Sequence, residues 1–249
     1  MKNTIGAVML LATTVLSAQD LTMVTKTTGK LKSQATTYMT ANKTRSNDST
    51  LGYDVVTDYQ SGTTYIINHK AKTISFMKVA EMAALAESVA AHTPKGKGMA
   101  SFGSAMNDMY GDPNIFKVEN VGKDTVIGRS CNKTRITSGN QVWEYCVDPS
   151  LKMPVDPATM ARQAAASYSS LAAYPHAAKI MSNLMTATAA LKGVPLKTHM
   201  SGFSGDTYTE VTSVSQGSLP ASTFALPQGY AMKDQIAEMK KAMAAHEKH

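Results

Sequence analysis

The chain has 249 residues, a formal net charge of +7 and 43% hydrophobic residues, which suits one large or two small globular domains. Its basic residues form no run interleaved with aromatic side chains, so nucleic acid is not an expected partner. The sequence contains no nucleophile-elbow, metalloprotease or phosphate-binding glycine motif. We therefore expect a non-catalytic protein that needs no cofactor.

Residues 1–18 have the pattern of a secretory signal peptide. Lys2 supplies the positive start, Ile5–Leu16 is a mostly apolar run, and Ser17 and Ala18 are small enough for a cleavage site. The run is shorter than the roughly 20 residues that a spanning helix needs. The mature protein is therefore predicted to be periplasmic or secreted, and not membrane-spanning.

Extended segments rich in threonine, valine and tyrosine follow the signal. Three of them are Leu21–Thr28, Lys32–Thr40 and Ile115–Thr125, which have the composition of β-strands. With the hairpins described next, the domain over residues 19–229 should contain about ten antiparallel strands. Because a sheet of that size tends to curl or close, we predict an α+β fold built on a curved sheet, an incomplete β-barrel.

Ser-Gly pairs at residues 61–62, 138–139 and 204–205 predict hairpin turns, because glycine tolerates the positive φ of two-residue turns. The first pair would join residues 55–60 to residues 63–68. The third would set His199 opposite Glu210 as a surface pair. A further turn at Lys70-Ala71 predicts Tyr65 opposite Phe76 and Ile67 opposite Ile74.

The Ser138-Gly139 turn makes the most specific prediction. Centred there, the hairpin places Cys131 opposite Cys146 and Lys133 opposite Glu144, a cross-strand charge pair. An even cysteine count after an export signal favours a disulfide over a metal site. We therefore expect a structural disulfide between Cys131 and Cys146.

Helices are predicted at three places. Residues 79–91 carry apolar side chains at helical spacing. Asp156 followed by Pro157 is an N-cap and first-turn signal, and it opens a helical hairpin over residues 156–191. A final helix is expected within residues 230–249, from about Met232.

Five blocks of sequence resemble an uncharacterised family of exported bacterial proteins related to the LolA/LolB lipoprotein carriers. The resemblance implies an incomplete antiparallel barrel whose concave side is covered by helices and, in the carriers, holds acyl chains. The blocks occur in the expected order along the mature chain and are Thr64–Thr73, Thr125–Cys131, Val142–Glu144, Gly193–Leu196 and Phe224–Tyr230.

From this resemblance and the strand patterns we expect a binding site for a hydrophobic small molecule or lipid acyl chain between sheet and helices. The sheet would contribute aromatic and branched side chains, and the helices would contribute long flexible ones. The expected ligand-binding residues are Tyr65, Ile67, Ile74, Phe76, Met82, Leu85, Trp143, Tyr145, Met160, Tyr168, Leu171, Ile180 and Leu184.

Two alternatives follow from the 17 methionines. Methionine adapts to irregular partners, so the chain could instead be a structural envelope module with a filled core that binds a protein partner. Alternatively, Met239, Met243 and His246 share one helical face near His249, and thioether and imidazole groups together could bind copper. The stripe continues through Ile236, which equally predicts a packing face.

Overall fold

The computed structural model describes residues 19–92, 110–167, 175–202 and 205–246. Its main feature is one large, open, curved sheet of twelve strands, ordered β12-β6-β5-β4-β3-β2-β1-β11-β10-β9-β8-β7. Neighbouring strands are antiparallel except β12, which runs parallel to β6. The strands are β1 (Leu21–Gly29), β2 (Ser33–Met39), β3 (Lys43–Asp48), β4 (Tyr53–Asp58), β5 (Thr63–Asn68), β6 (Thr73–Lys78), β7 (Phe116–Val126), β8 (Arg129–Ser138), β9 (Gln141–Asp148), β10 (Val194–Ser201), β11 (Thr207–Gln216) and β12 (Ala231–Asp234).

Four α-helices in the described ranges accompany the sheet: α1 (Val79–His92), α2 (Pro157–Ser167), α3 (Pro175–Ala189) and α4 (Gln235–His246). The α+β class is confirmed, whereas the count of about ten strands is too low. Sequence reasoning missed β3, whose six residues Lys43–Asp48 are all polar. It also missed β12, so the prediction that the last helix starts near Met232 is wrong. Residues 231–234 instead extend the sheet beside β6.

In the first meander, the predicted register is correct between β5 and β6 and wrong between β4 and β5. Tyr65 pairs with Phe76 and Ile67 with Ile74, as the Lys70-Ala71 turn predicts. The preceding hairpin is shifted by two residues, because Asp58 pairs with Thr63 across a four-residue loop. The Asp58 carboxylate accepts the backbone N–H groups of Gln60 and Ser61, both at 3.0 Å. This side-chain cap stabilises the longer loop.

The middle hairpin also turns one position later than expected. Ser138 pairs with Gln141, so Gly139 and Asn140 form the turn. Gly139 has φ +58°, which suits the first central position of a tight hairpin turn. The disulfide between Cys131 and Cys146 is nevertheless present, with a Cα–Cα distance of 5.2 Å.

Two predicted charge pairs are wrong because the pairing of both hairpins is shifted by two residues from the predicted register. Arg135, and not Lys133, faces Glu144, with Nε 2.6 Å from the Glu144 carboxylate. In the third hairpin Lys197 faces Glu210, while His199 faces Tyr208. The His199 and Tyr208 rings are stacked with their centroids 4.2 Å apart.

The two faces of the sheet have different coverings. Directly paired residues share a face and successive residues alternate, so the observed pairs place Thr64 of β5 and Tyr145 of β9 on one face. We call it the helix face, because Gln163 of α2 donates to Thr64 Oγ1 at 3.4 Å and Ser138 Oγ donates to the Ile180 carbonyl of α3 at 3.5 Å. The opposite side is called the back face.

Buried residues form two main clusters. One includes the disulfide and consists of Leu21, Met23, Met39, Val126, Cys131, Cys146, Leu151, Val194, Leu196 and Val211. The smaller cluster lies on the back face, where Val56, Ile67 and Ile74 pack with Tyr65, Leu226 and Tyr230. The segment after β11 therefore supplies the apolar cover of the back face.

Candidate functional site

An apolar cavity of about 290 Å³ lies between α2, α3 and the strands β9 and β10. Its walls are almost entirely hydrocarbon, thioether and aromatic groups. The lining residues are Tyr145, Met153, Pro157, Met160, Ala161, Ala164, Met181, Leu184, Met185, Thr188, Ala189, Leu191, Gly193 and Pro195.

The helices present regular stripes to this cavity. On α2 the lining positions follow helical spacing from Pro157 through Met160 and Ala161 to Ala164. On α3 the same spacing runs from Met181 to Thr188. Two adjacent helices thus present one stripe each to the same space.

The start of α2 is set by its N-cap. The Asp156 carboxylate accepts the Thr159 backbone N–H at 3.0 Å and the Thr159 hydroxyl at 2.9 Å, as the Asp-Pro signal predicts. These hydrogen bonds hold the pKa of Asp156 below its ordinary value. The cap anchors the first turn, which contributes Pro157 and Met160 to the cavity.

The segment that carries Met153 into the cavity wall is anchored at Asp148. This carboxylate is buried; burial acts to raise its pKa, but hydrogen bonds from Ser150 and Arg129 outweigh that effect and the pKa is lowered. Arg129 Nε lies 2.6 Å from Asp148 Oδ2, and the Ser150 hydroxyl lies 2.6 Å from Oδ1. Because the charged form is stabilised, Asp148 holds the turn after β9 in place.

One polar atom in the cavity wall lacks a partner among the described residues. Thr188 Oγ1 is buried and forms no hydrogen bond to any of them. Buried hydroxyl groups are normally paired, because an unpaired one costs about 1–3 kcal/mol. Thr186, on the same helix, follows the common pattern and donates to the Ser182 carbonyl at 2.9 Å. Thr188 lines the cavity, so a change of its side-chain rotamer would turn this hydroxyl toward a polar group there.

A second, outer groove of about 680 Å³ runs between α2 and α3. It shares Ala161, Met181, Met185 and Ala189 with the inner cavity. Its other lining residues are Ala158, Arg162, Ala165, Ala178, Ser182 and Thr186. Two methionines and two alanines thus line both spaces.

Three of the sequence-predicted ligand residues line the cavity: Tyr145, Met160 and Leu184. Trp143 and Ile180 are buried nearby on the helix side, at 8% and 0% exposure, but do not line it. Tyr168 and Leu171 lie outside the described residues.

The structure does not bring the other predicted residues to this cavity. Tyr65 and Phe76 point to the back face, as do Ile67 and Ile74, because they alternate with Thr64 along the strands. Met82 and Leu85 belong to α1, where Leu85 lines a separate groove with Met243 of α4. Sequence reasoning therefore combined side chains from opposite faces.

Most of the remaining cavity wall was missed from the sequence. Ala161 and Ala164 are small, and Met153, Leu191 and Pro195 lie in or next to loops. One available signal was the alanine spacing on α2, since small side chains at helical spacing leave room against a neighbouring helix. Thr188 offered no signal in the sequence.

The back face is closed by a polar network. Asp54, 5% exposed, pairs with Arg45 and with His69, whose Nε2 is 3.0 Å from Oδ2. Arg45 also donates to the Thr223 carbonyl at 2.9 Å, and His69 Nδ1 lies 3.2 Å from the Tyr230 hydroxyl. These contacts fasten the segment after β11 to the back face around Asp54.

The copper hypothesis stays a prediction. Met239 and Met243 lie on α4, at 43% and 36% exposure, but the side chain of His246 and all of His249 lie outside the described residues. Among the residues that the structure describes, no three His, Cys, Asp or Glu side chains are grouped as a metal site. Ile236 on the same helix is buried.

Residues 100–230, more than half of the chain, match a family described as a domain of unknown function, DUF4412. The chain belongs to the DUF4412 family. No functionally curated protein matches this DUF4412 chain in sequence. In the described part of the chain, no helix has both the length and the hydropathy to cross a bilayer.

Several solved structures share the layout of this DUF4412 protein at low identity. An uncharacterised conserved protein from Thermus thermophilus is 9% identical with a TM-score of 0.49, over 88% of this chain and 92% of that chain. A LolA superfamily protein from Nitrosomonas europaea is 6% identical with a TM-score of 0.32, over 85% and 91%.

The MucA/MucB complex of Pseudomonas aeruginosa provides a third match, 11% identical with a TM-score of 0.41, over 85% of this chain and 56% of that chain. The DUF4412 chain therefore spans little more than half of that protein. All three likenesses concern the fold alone. LolA-type structures, which the sequence resemblance named, are among them.

Proposed function

We propose that this DUF4412 protein binds an amphiphilic, lipid-like molecule in the cavity between α2, α3, β9 and β10. The apolar part of the ligand occupies the space beside Met160 and Leu184. A hydrogen-bonding group of the ligand reaches Thr188. In this proposal the helices cover the concave side of the sheet and the protein acts in the cell envelope without catalysis.

The observation that carries the proposal is an apolar cavity whose wall contains one buried hydroxyl, Thr188 Oγ1, that has no partner among the described residues. Its volume of about 290 Å³ is just below the roughly 300–1,000 Å³ of small-molecule sites. Such a space suits one chain or ring of a lipid. Burial of apolar area, at about 25 cal/mol per Å², supplies affinity, and the hydroxyl supplies orientation.

The methionines in the wall support an elongated and variable ligand. Met181 and Met185 line both the cavity and the outer groove, and unbranched thioether side chains change rotamer readily. A shift of either side chain would join the two spaces. The ligand could then extend from the inner cavity into the groove without a change in the backbone.

Two adjacent alanines provide a matched test. Ala164 lines only the inner cavity, and Ala165 lines only the outer groove. We expect Ala164→Phe to reduce affinity for a dansylated fatty acid by about tenfold or more, equivalent to about 1.4 kcal/mol, while Ala165→Phe changes it much less. Fluorescence titration gives the affinities, and thermal melting verifies that both variants fold.

Solvent extraction and mass spectrometry of the protein from its native envelope would identify the bound molecule. A protein that carries no lipid, and that binds the fatty-acid probe equally well in the Ala164→Phe variant, would contradict the proposal. A loss confined to Ala165→Phe would place binding in the outer groove instead.

The outer groove favours a second candidate function, the binding of a protein partner. It is larger than the inner cavity, at about 680 Å³, and is lined mainly by alanine and methionine. Small side chains allow a partner helix to approach closely, and methionine adapts to its shape. If Ala165→Phe abolishes capture of an envelope protein while lipid binding is unchanged, this second function applies.

A further inference from the structure

Strand β7 forms one edge of the sheet and exposes apolar side chains there. Within the described residues, β7 has β8 as its only strand partner. Ile115, Phe116 and Val118 are 48%, 43% and 49% exposed. A long edge with exposed apolar residues is a template for pairing with another strand.

The hydrogen-bond pattern shows which backbone groups of β7 face outward. The Ile115 carbonyl accepts the Gly139 N–H at 2.8 Å, so this carbonyl points toward the β8 side. In an antiparallel ladder these directions alternate from residue to residue. The N–H and C=O groups of Phe116, Val118 and Asn120 therefore point toward the free edge.

A bulge limits the regular part of this edge. The pairing with β8 shifts between Asn120 and Gly122, and a bulge bends and twists its strand. The regular stretch of β7 is thus Phe116–Asn120, and its central residue is Val118.

Charges flank that centre symmetrically. Lys117 and Glu119 are each one residue from Val118, and both side chains lie on the same face of the strand, with Nζ 2.8 Å from Oε1. Their side chains are 67% and 36% exposed. A lone lysine on an edge would oppose pairing with an identical edge. A lysine and a glutamate two positions apart are instead complementary to their own copy in antiparallel orientation.

We propose that a second copy of this chain pairs with β7 about a twofold axis through Val118. Val118 then lies opposite Val118 of the second copy, and Phe116 lies opposite Asn120. Lys117 of each copy faces Glu119 of the other. This register satisfies the three pairs of outward backbone groups, joins two sheets into one and covers exposed apolar residues.

Charge reversal tests this register directly. Lys117→Glu and Glu119→Lys each place like charges opposite one another in a homodimer, so each variant alone should be mainly monomeric at concentrations where the wild type is dimeric. An equimolar mixture should form a heterodimer, because the like-charged pairs become Glu–Lys pairs in both positions. Sedimentation velocity of the single variants and of the mixture measures this.

The backbone contribution is tested at Val118. Val118→Pro removes an outward N–H, which an edge strand tolerates, and should abolish the dimer. Val118→Thr keeps that N–H and nearly the same shape, and should remain dimeric. A wild type that is monomeric at every concentration, or a mixture of charge variants that does not associate, would overturn the proposal. Thermal melting excludes unfolding as the cause.

Discussion

Cys146 lies directly opposite Lys133, and its disulfide partner Cys131 is two residues before Lys133 in β8. The covalent bond is therefore diagonal across the hairpin, yet its Cα–Cα distance of 5.2 Å is well within the range that disulfides span. The twist of neighbouring strands brings such diagonal positions together. The bond consequently holds β8 and β9 together, and both cysteines belong to the larger buried cluster.

Replacing both cysteines by alanine should lower the free energy of unfolding by about 3 kcal/mol, the loop-closure value for a link of this length. The two residues are separated by 15 positions. Both are also buried in the core, so polar replacements could add to the loss. Urea unfolding of the wild type and of a Cys→Ala double variant measures the covalent contribution; equal stabilities would contradict it.

Gly139→Ala should destabilise the protein far more than Gly62→Ala. Both glycines have positive φ, +58° and +62°, so alanine suffers similar backbone strain of about 1–2 kcal/mol at each. A Cβ at Gly139 would also lie 2.1 Å from the Tyr110 carbonyl oxygen, whereas Gly62 has no other atom within 4 Å of that position. Thermal melting of the two variants compares them, and equal losses would contradict the close approach.

Thr188→Val should stabilise the protein and weaken ligand binding. The substitution keeps the shape of the side chain and removes a buried hydroxyl without a partner among the described residues, which we expect to raise the free energy of unfolding by about 1 kcal/mol. Affinity for the dansylated fatty acid should fall, because the polar group of the ligand loses its partner. Thr186→Val, at an exposed hydroxyl of the same helix, is the control. A destabilised variant with unchanged affinity would argue against the role of Thr188.

Acid stability should depend on Asp148. Its pKa is lowered in the folded protein, so the folded state binds this proton less readily than the unfolded state. The resulting stabilisation is present above the ordinary carboxyl pKa and is lost as the pH falls through the lower, folded value. Asp148→Asn should therefore reduce stability at neutral pH and flatten the loss of stability below about pH 4. The free energy of unfolding of both proteins, measured at a series of pH values, tests this. The same pH dependence in the wild type and the variant would contradict it.

Arg45→Ala should loosen the segment that covers the back face. It leaves the Asp54 carboxylate without its arginine partner and frees the Thr223 and Ala225 carbonyls. Removal of one partner from a buried ion pair typically costs about 3–5 kcal/mol; the Asp54 side chain is only 7% exposed. Tyr230→Phe, which removes one hydrogen bond to the partly exposed His69, should have a smaller effect. Hydrogen exchange of residues 221–230 reports the loosening, and unchanged protection would contradict it.

Local features were predictable because nearby residues or covalent chemistry produce them. The Lys70-Ala71 register, the Asp156 cap and the Cys131–Cys146 disulfide are of this kind. The Ser-Gly turns were predicted less accurately. Asp58 stabilises a four-residue loop in place of the expected two-residue turn, and the middle turn is formed by Gly139 and Asn140 instead of Ser138 and Gly139. A two-residue error still keeps every side chain on its face, which explains why the disulfide was found from an incorrect register.

The sequence by itself determined the α+β class, the meander around Tyr65, the two inserted helices and the disulfide. Only the tertiary structure decided which side chains face one another across the sheet. Whether Tyr65 shares a face with Tyr145 depends on every pairing between β5 and β9, including the one interrupted by the bulge near Thr25. Since side chains alternate at each residue, a single bulge missed between these strands assigns Tyr65 and Tyr145 to the wrong relative faces. The binding surface is therefore a property of the assembled sheet.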